Sequence, residues 1–512
     1  MPAVPARVKT TSDAEAARRS QPIRGELAIA LAIAAVLVLF RSFIFLAYEA
    51  FFDSDQAIVG LMAKHLVEGR AFPLIFYGQP YMLAVEAWLA APFVFLAGPT
   101  VAALRTAVIL LNMTVAALLI VGLWKGVGLR PLYGLVASLF FVFAPPFMSA
   151  QIVEACGGNI EPFVYVLILW MVRQRPVWFG GVLAIGFLNR EFSAYAVPAI
   201  LAGEIFTGTL FRADTMRRWL VAFVVFLAVH GTVNALRPYA DLKGPGTRGA
   251  AVAQGAASSV DNILVRTNVD VRALPSRFVT LATDVLPTMI GGKRVDGGFA
   301  SQGRNWVAVP IGLAFVAAFL RMGVLVRRAY AGRRALVPET IQAVSFAWYV
   351  LAIGVIAALA CIVTRPMQDL PLRYILLALY IPIGTLAAWL ALEPRAVFRH
   401  AIVAVMCGWA MLSTADHVRE MRRFAAVTEP DEIRVLADAL VQRGVTVAEA
   451  TYWRAYKLTY LTGERVKVSS SDYVRIDEYQ KLAHQDTHLM RIQETPCLNG
   501  ERVARWYLCR QE

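Results

Sequence analysis

The stretch LAIALAIAAVLVLFRSFIFLAY, residues 27–48, decides the fold. Apart from Arg41, Ser42 and Tyr48 it is apolar throughout. A membrane crossing needs ~20 mostly apolar residues to cover ~30 Å of hydrocarbon, so the stretch reads as a span. Upstream lie Arg7, Lys9, Arg18, Arg19 and Arg24, a basic leader that predicts a cytoplasmic N-terminus. No short apolar run with a small-residue cleavage site follows it, so no removed signal peptide is expected. Downstream the apolar pattern returns at about 101–123, 131–150, 161–172 (extended upstream), 177–190, 193–207, 219–237, 306–326, 341–363, 374–393 and 400–416. That makes about eleven candidate spans.

Composition agrees. Of 512 residues 58% are hydrophobic and 17% charged, where soluble chains carry roughly 45–50% and about 25%. Mean hydropathy is +0.56. The net charge of +14 does not point to nucleic acid, because the basic residues flank apolar runs. Lys125 and Arg130, Arg173 and Arg175, Arg212, Arg217 and Arg218, Arg327, Arg328, Arg333 and Arg334, then Arg395 and Arg399 all fall in the same set of short connections. With those inside, an odd number of spans leaves the C-terminus outside. The expected class is a polytopic α-helical membrane protein with a small soluble α/β C-terminal domain.

Three outside segments are long enough to do work: 48–100, 238–305 and 417–512. The expected organisation is a cytoplasmic tail over 1–25, a membrane domain over 26–416 and an external domain over 417–512. In 48–100, short helices along the interface are expected rather than a crossing. The tail shows a helical pattern at 431–443 and strand-like content at 445–448 and 456–468. Its aromatics Tyr452, Trp453, Tyr456 and Tyr460 suit either a small-domain core or a sugar-stacking surface. Cys361 and Cys407 fall in spans, Cys156 in a short outside loop, and Cys497 and Cys509 in the tail. The last two could pair in an oxidising compartment or stay free. No CxxC zinc spacing is present, and neither a P-loop nor a GxGxxG opens a helix, which removes support for nucleotide-driven transport and Rossmann chemistry.

The run Phe52-Asp53-Ser54-Asp55-Gln56 opens the first outside segment. Two carboxylates at a span mouth are either an ordinary hydrated loop start or a base or cation-binding pair facing a membrane-level cavity. Arg41, within the first span, is expected to act there, to snorkel or to pair with Glu49. His65 and the other histidines form no metal-type spacing.

An ordered set of motifs then carries a resemblance. Asp53-Ser54-Asp55-Gln56-Ala57, Gly69-Arg70, Tyr77-Gly78-Gln79-Pro80-Tyr81 and Glu86-Ala87-Trp88 resemble the first external loop of the C-type membrane glycosyltransferases (GT-C), in the protein O-mannosyltransferase and aminoarabinose-transferase branch. The likeness continues through Gly98-Pro99, Ala103-Leu104-Arg105, Gly157-Gly158-Asn159-Ile160-Glu161 and Leu372-Arg373-Tyr374. In the tail it touches Tyr452-Trp453-Arg454-Ala455-Tyr456 and Leu461-Thr462-Gly463-Glu464-Arg465.

The resemblance implies transfer of a sugar from a polyprenyl-phosphate carrier to an outside lipid, glycan or protein acceptor at the bacterial inner membrane. It implies Asp55 as catalytic base, with Asp53 and Glu161 assisting or, with Asp55, holding a divalent cation. Gln56 stands where such enzymes carry Glu, and no counterpart of their Lys-Pro-Pro element is present. Glu86, Tyr81, Arg105, Arg373 and Tyr374 are the implied substrate contacts. Outside-facing Arg70, Arg105, Arg190 and Arg373 could hold a leaving phosphate, or could snorkel or form local salt bridges. Competing expectations are a flippase for a lipid-linked sugar and a non-catalytic envelope-assembly partner. The enzymatic expectation requires Asp55 and Glu161 to meet at one hollow.

Overall fold

The computed structural model describes residues 11–247, 270–292, positions 313, 316, 317, 320, 321, 323 and 324, and residues 345–364, 372–427 and 431–510. The expected span 306–326 and the basic cluster Arg327–Arg334 lie largely outside these, as do residues 1–10 of the N-terminal tail and most of 248–305.

The deciding stretch is helical. It forms the second half of α1 (Thr11–Ala47), whose part Arg24–Ala47 is long and apolar enough to cross a membrane. The same holds for α4 (Val101–Val127), for the helix Ala213–Tyr239, which contains α10 (Ala213–Leu236), for Ser345–Thr364 and for Ala396–Ala425. The chain is an integral membrane protein. Local chemistry sets the ends of α4: the Thr100 side chain accepts from the Ala103 N–H, and Gly128 takes the left-handed conformation that closes the last turn.

Where the sequence suggests about eleven spans, five helices among the described residues pass as crossings, or six with one bent pair. The expected span 131–150 is that pair, α5 (Pro131–Val142) and α6 (Pro146–Val153), bent by 84°. Pro145 and Pro146 explain the break, since proline lacks the N–H and clashes with the preceding turn. The next three expected spans are α7 (Glu161–Val172), α8 (Pro176–Asn189) and α9 (Ala196–Phe206). At 1.5 Å per residue they reach only about 16–21 Å. The upstream extension expected for α7 is absent, because 154–160 is irregular. Ala396–Ala425 runs past residue 416, the expected boundary, and buries Asp416, His417 and Glu420.

Arg41 is fully buried but does not meet Glu49. It donates to the Val142 carbonyl at 3.0 Å and to Asn112 Oδ1 at 2.6 Å, tying α1 to α4 and α5. Glu49 pairs instead with Arg434 of the tail.

Between α1 and α4 the chain forms α2 (Ser54–Val67), a two-stranded hairpin of β1 (Ile75–Phe76) and β2 (Gln79–Leu83), and α3 (Val85–Ala97). The tail carries helices Glu432–Gln442, Tyr452–Leu461 and Asp477–Gln485 with a five-stranded sheet. The strands are β3 (Val447–Ala450), β4 (Lys467–Ser470), β5 (Met490–Gln493), β6 (Glu501–Val503) and β7 (Trp506–Arg510), in the order β4-β3-β5-β7-β6. β3 runs parallel to β4 and β5, while β7 is antiparallel to β5 and β6. Of the strand expected at 456–468 only residues 467 and 468 are strand, while 456–461 belong to the helix Tyr452–Leu461. Its buried faces, Tyr452, Tyr456 and Tyr460 on one side and Ala455 and Leu458 on the other, follow the helical period. Cys497 and Cys509 form a disulfide.

α2 is the seam. Ten of its residues are buried, and the tail helix Tyr452–Leu461 packs along it. Gly60 permits that approach: a Cβ there would lie 2.4 Å from Tyr460 Cε2, in a ring fixed by its hydroxyl bond to the Thr100 carbonyl at 2.9 Å. Gly60→Leu should therefore destabilise the protein by about 1–3 kcal/mol through overpacking, read as a lowered unfolding midpoint in detergent. An unchanged midpoint would show that the helices separate freely.

Candidate active site

A cavity of about 200 Å³ opens where α2, the hairpin, the 154–160 loop, the turn after α8, the turn 372–374 and the tail converge. Asp55 supplies its carboxylate; Arg190, Arg373 and Arg475 supply three guanidiniums. Phe76, Tyr81, Tyr374 and Tyr473 add aromatic faces. Arg190 and Arg373 form no ion pair with a carboxylate among the described residues. Arg190 Nε donates to the Gly157 carbonyl at 3.2 Å, and Arg373 reaches Tyr374 Oη at 3.3 Å. Arg475 lies 3.9 Å from Asp55 Oδ1. The cavity is thus net positive with a single base at its wall.

Arg190 and Arg475 are held by the structure around them. Gly158, at φ +110°, lets Arg190 lie across the loop, since a Cβ there would come within 2.3 Å of Arg190 Cγ. Arg475 is 5% exposed and donates to the Tyr77 carbonyl at 3.3 Å. With its amide oxygen turned toward Arg475, Gln79 accepts from both terminal nitrogens at 3.1 and 2.8 Å, and its amide nitrogen reaches Tyr81 Oη at 3.3 Å. The Tyr473 ring faces the Arg475 guanidinium, with the centroid 4.7 Å away.

Of the residues expected to act, Asp55, Tyr81, Arg190, Arg373 and Tyr374 meet at this cavity. The others are elsewhere. Asp53 caps α2, accepting from the Gln56 N–H at 3.0 Å, and burial raises its pKa. Arg105 is 1% exposed and spends its donors on the Phe45 carbonyl at 2.7 Å and on Gln56 Oε1 at 2.9 and 3.2 Å. That also accounts for Gln56 itself, whose Nε2 donates to the Phe51 carbonyl at 2.8 Å. Glu86 accepts from the Gly157 N–H and Glu161 from the Gly158 N–H, the latter at 3.0 Å. Both carboxylates are buried and hold the loop whose Cys156 lines the cavity. Asp55 and Glu161 therefore do not share the hollow; Glu161 supports its wall. Among the described residues no three His, Cys, Asp or Glu side chains are gathered to hold a metal ion, so Asp53, Asp55 and Glu161 do not form the expected cation trio. Arg70 pairs with nearby Glu68 and with Glu464 and Glu478 of the tail.

Sequence reasoning missed Arg475, Tyr473 and Glu154. Glu154, in the loop beside the cavity, accepts from Asn159 Nδ2 at 3.1 Å. Burial first, then repulsion from Asp53, pushes its pKa up to about 8, against the opposing charge of Arg373. The signal for the tail residues is topological. Parallel strands β3 and β4 end at Ala450 and Ser470, and Tyr452 and Tyr473–Arg475 follow directly. Open sheets bind ligands beyond the carboxyl ends of parallel strands.

No protein-family model matches the chain, and no curated protein matches it. Solved structures do. The apo oligosaccharyltransferase of Archaeoglobus fulgidus is similar at TM-score 0.49 and 12% identity, over 88% of this chain. This chain spans 65% of that protein's length. ArnT from Cupriavidus metallidurans bound to undecaprenyl phosphate is similar at TM-score 0.45 and 11% identity, over 94% of this chain and 97% of its own. Apo ArnT gives 0.46 and 11%, over 95% and 97%. Identities this low say nothing of side-chain chemistry.

Proposed function

We propose that the protein is a membrane glycosyltransferase that moves one sugar from a polyprenyl-phosphate carrier to a lipid, envelope-glycan or protein acceptor on the periplasmic face. The observation that carries this is the pairing of one carboxylate with three guanidiniums in one cavity. At about 200 Å³ it is smaller than the ~300–1,000 Å³ of pockets that bury drug-sized ligands, which suits a sugar-phosphate head group with the lipid left outside.

In this chemistry the acceptor oxygen or nitrogen attacks the anomeric carbon. Asp55 takes the acceptor's proton as the new bond forms. The bond from the anomeric carbon to the phosphate oxygen breaks, and its electron pair leaves with the carrier phosphate. Arg190, Arg373 and Arg475 face the negative charge that develops there; planar guanidiniums bind phosphate through paired hydrogen bonds. Tyr81, Tyr374 and Tyr473 offer faces against which a sugar ring stacks.

The test is incubation of purified protein with labelled polyprenyl-phosphate sugar and mixed envelope acceptors. Label passing to an acceptor with release of polyprenyl phosphate is expected; an untouched donor overturns the proposal. Arg373→Ala should lower transfer about 10²-fold, the low end for one stabilising donor because two other arginines remain. A wild-type rate in that variant would remove Arg373 from the phosphate site.

A further inference from the structure

We infer that Tyr452, from the tail, is a positioning residue that tethers one oxygen of Asp55 and leaves the other to act as base. This rests on the transferase proposal above. The Tyr452 hydroxyl donates to Asp55 Oδ1, and Arg475 approaches the same oxygen. Asp55 Oδ2 has no hydrogen-bond or ion-pair partner among the described residues, while Asp55 lines the cavity. A carboxylate bound through one oxygen has a fixed plane and a free lone pair on the other, the geometry a proton acceptor needs.

The tether is itself fixed from two sides. The Tyr452 carbonyl accepts from Ser54 Oγ at 2.7 Å, on the residue next to Asp55. The Tyr452 N–H donates to Asp472 Oδ1 at 2.7 Å, within the turn that carries Tyr473 and Arg475. Its ring packs edge-on against Tyr456 and Tyr473, with centroids 5.4 and 5.7 Å away. Tyr452 is 6% exposed. The hydroxyl is therefore presented by a rigid frame spanning α2 and the tail, so the tail takes part in setting the base.

Tyr452→Phe removes the donor and keeps the ring. Its kcat should fall about 10–100-fold, the range for a hydrogen bond to a charged group. KM for the labelled polyprenyl-phosphate sugar should stay near wild type. A purely structural role would instead move KM together with kcat. Double-variant analysis gives a second readout: on the residual rate of Asp55→Asn, adding Tyr452→Phe should cost nothing more, whereas structural damage would add its own factor. If Asp55→Asn is inactive yet Tyr452→Phe turns over at the wild-type kcat, the tether is refuted and the transferase proposal stands. If Asp55→Asn turns over normally, Asp55 is not the base and the tether falls while transfer itself stands; a donor left untouched by the wild-type protein overturns both.

Discussion

Asp55→Asn should abolish most sugar transfer, lowering the rate by about 10²–10⁴-fold, the contribution of a positioned general base. The substitution isolates the chemistry because little else depends on the charge. The side chain is 22% exposed, the amide has nearly the same shape, and its oxygen can still accept from the Tyr452 hydroxyl. The unfolding midpoint in detergent should move little. Asp53→Asn makes the matching control. Asparagine caps a helix about as well as aspartate, so the bond from the Gln56 N–H survives, and transfer should stay within about tenfold of wild type. The measurement is initial rate for both variants at saturating donor. Equal losses would mean that the pair acts together; a wild-type rate for Asp55→Asn would remove it from the reaction.

The membrane class was legible because hydropathy and the placement of basic residues act locally, over one helix at a time. Pro145-Pro146 was in plain view as a breaker, yet the apolar content on both sides masked the bend into α5 and α6. The cavity was half legible. Asp55, Tyr81, Arg373 and Tyr374 sit in motifs whose order along the chain carried the resemblance. Glu86, Glu161 and Arg105 sit in the same motifs but face inward, holding the 156–158 loop and Gln56. A sequence motif does not say which face of a turn a side chain takes. Arg475 was hidden for another reason: it lies 420 positions after Asp55, and only the docking of the tail on α2 brings the two together.

That docking has its own prediction. Glu464→Gln should cost about 3 kcal/mol at neutral pH, the low end for removing one partner of a buried ion pair, because Lys64 and Arg70 reach solvent. Glu464 Oε1 meets His65 Nε2 at 3.1 Å and accepts from Tyr479 Oη at 2.7 Å; its Oε2 accepts from Lys64 at 2.6 Å and Arg70 at 2.8 Å. Burial alone would raise its pKa, but interaction with His65 and the hydrogen bonds from Lys64 and Tyr479 outweigh that and hold it well below the usual carboxylate range. A depressed folded-state pKa gives stability that is fully present above the unfolded value of about 4.3 and is lost as pH falls through the lower folded value. The deficit of Glu464→Gln should therefore be constant from pH 8 to about 5 and close only in stronger acid. Thermal unfolding across that range, with proteolysis of the tail as a second probe, checks it. A deficit that grows on acidification, or none at pH 7, would sink the prediction. Activity should follow as well, because the other nitrogen of His65 lies 3.3 Å from Tyr77 Oη and the Tyr77 carbonyl holds Arg475 at the cavity wall.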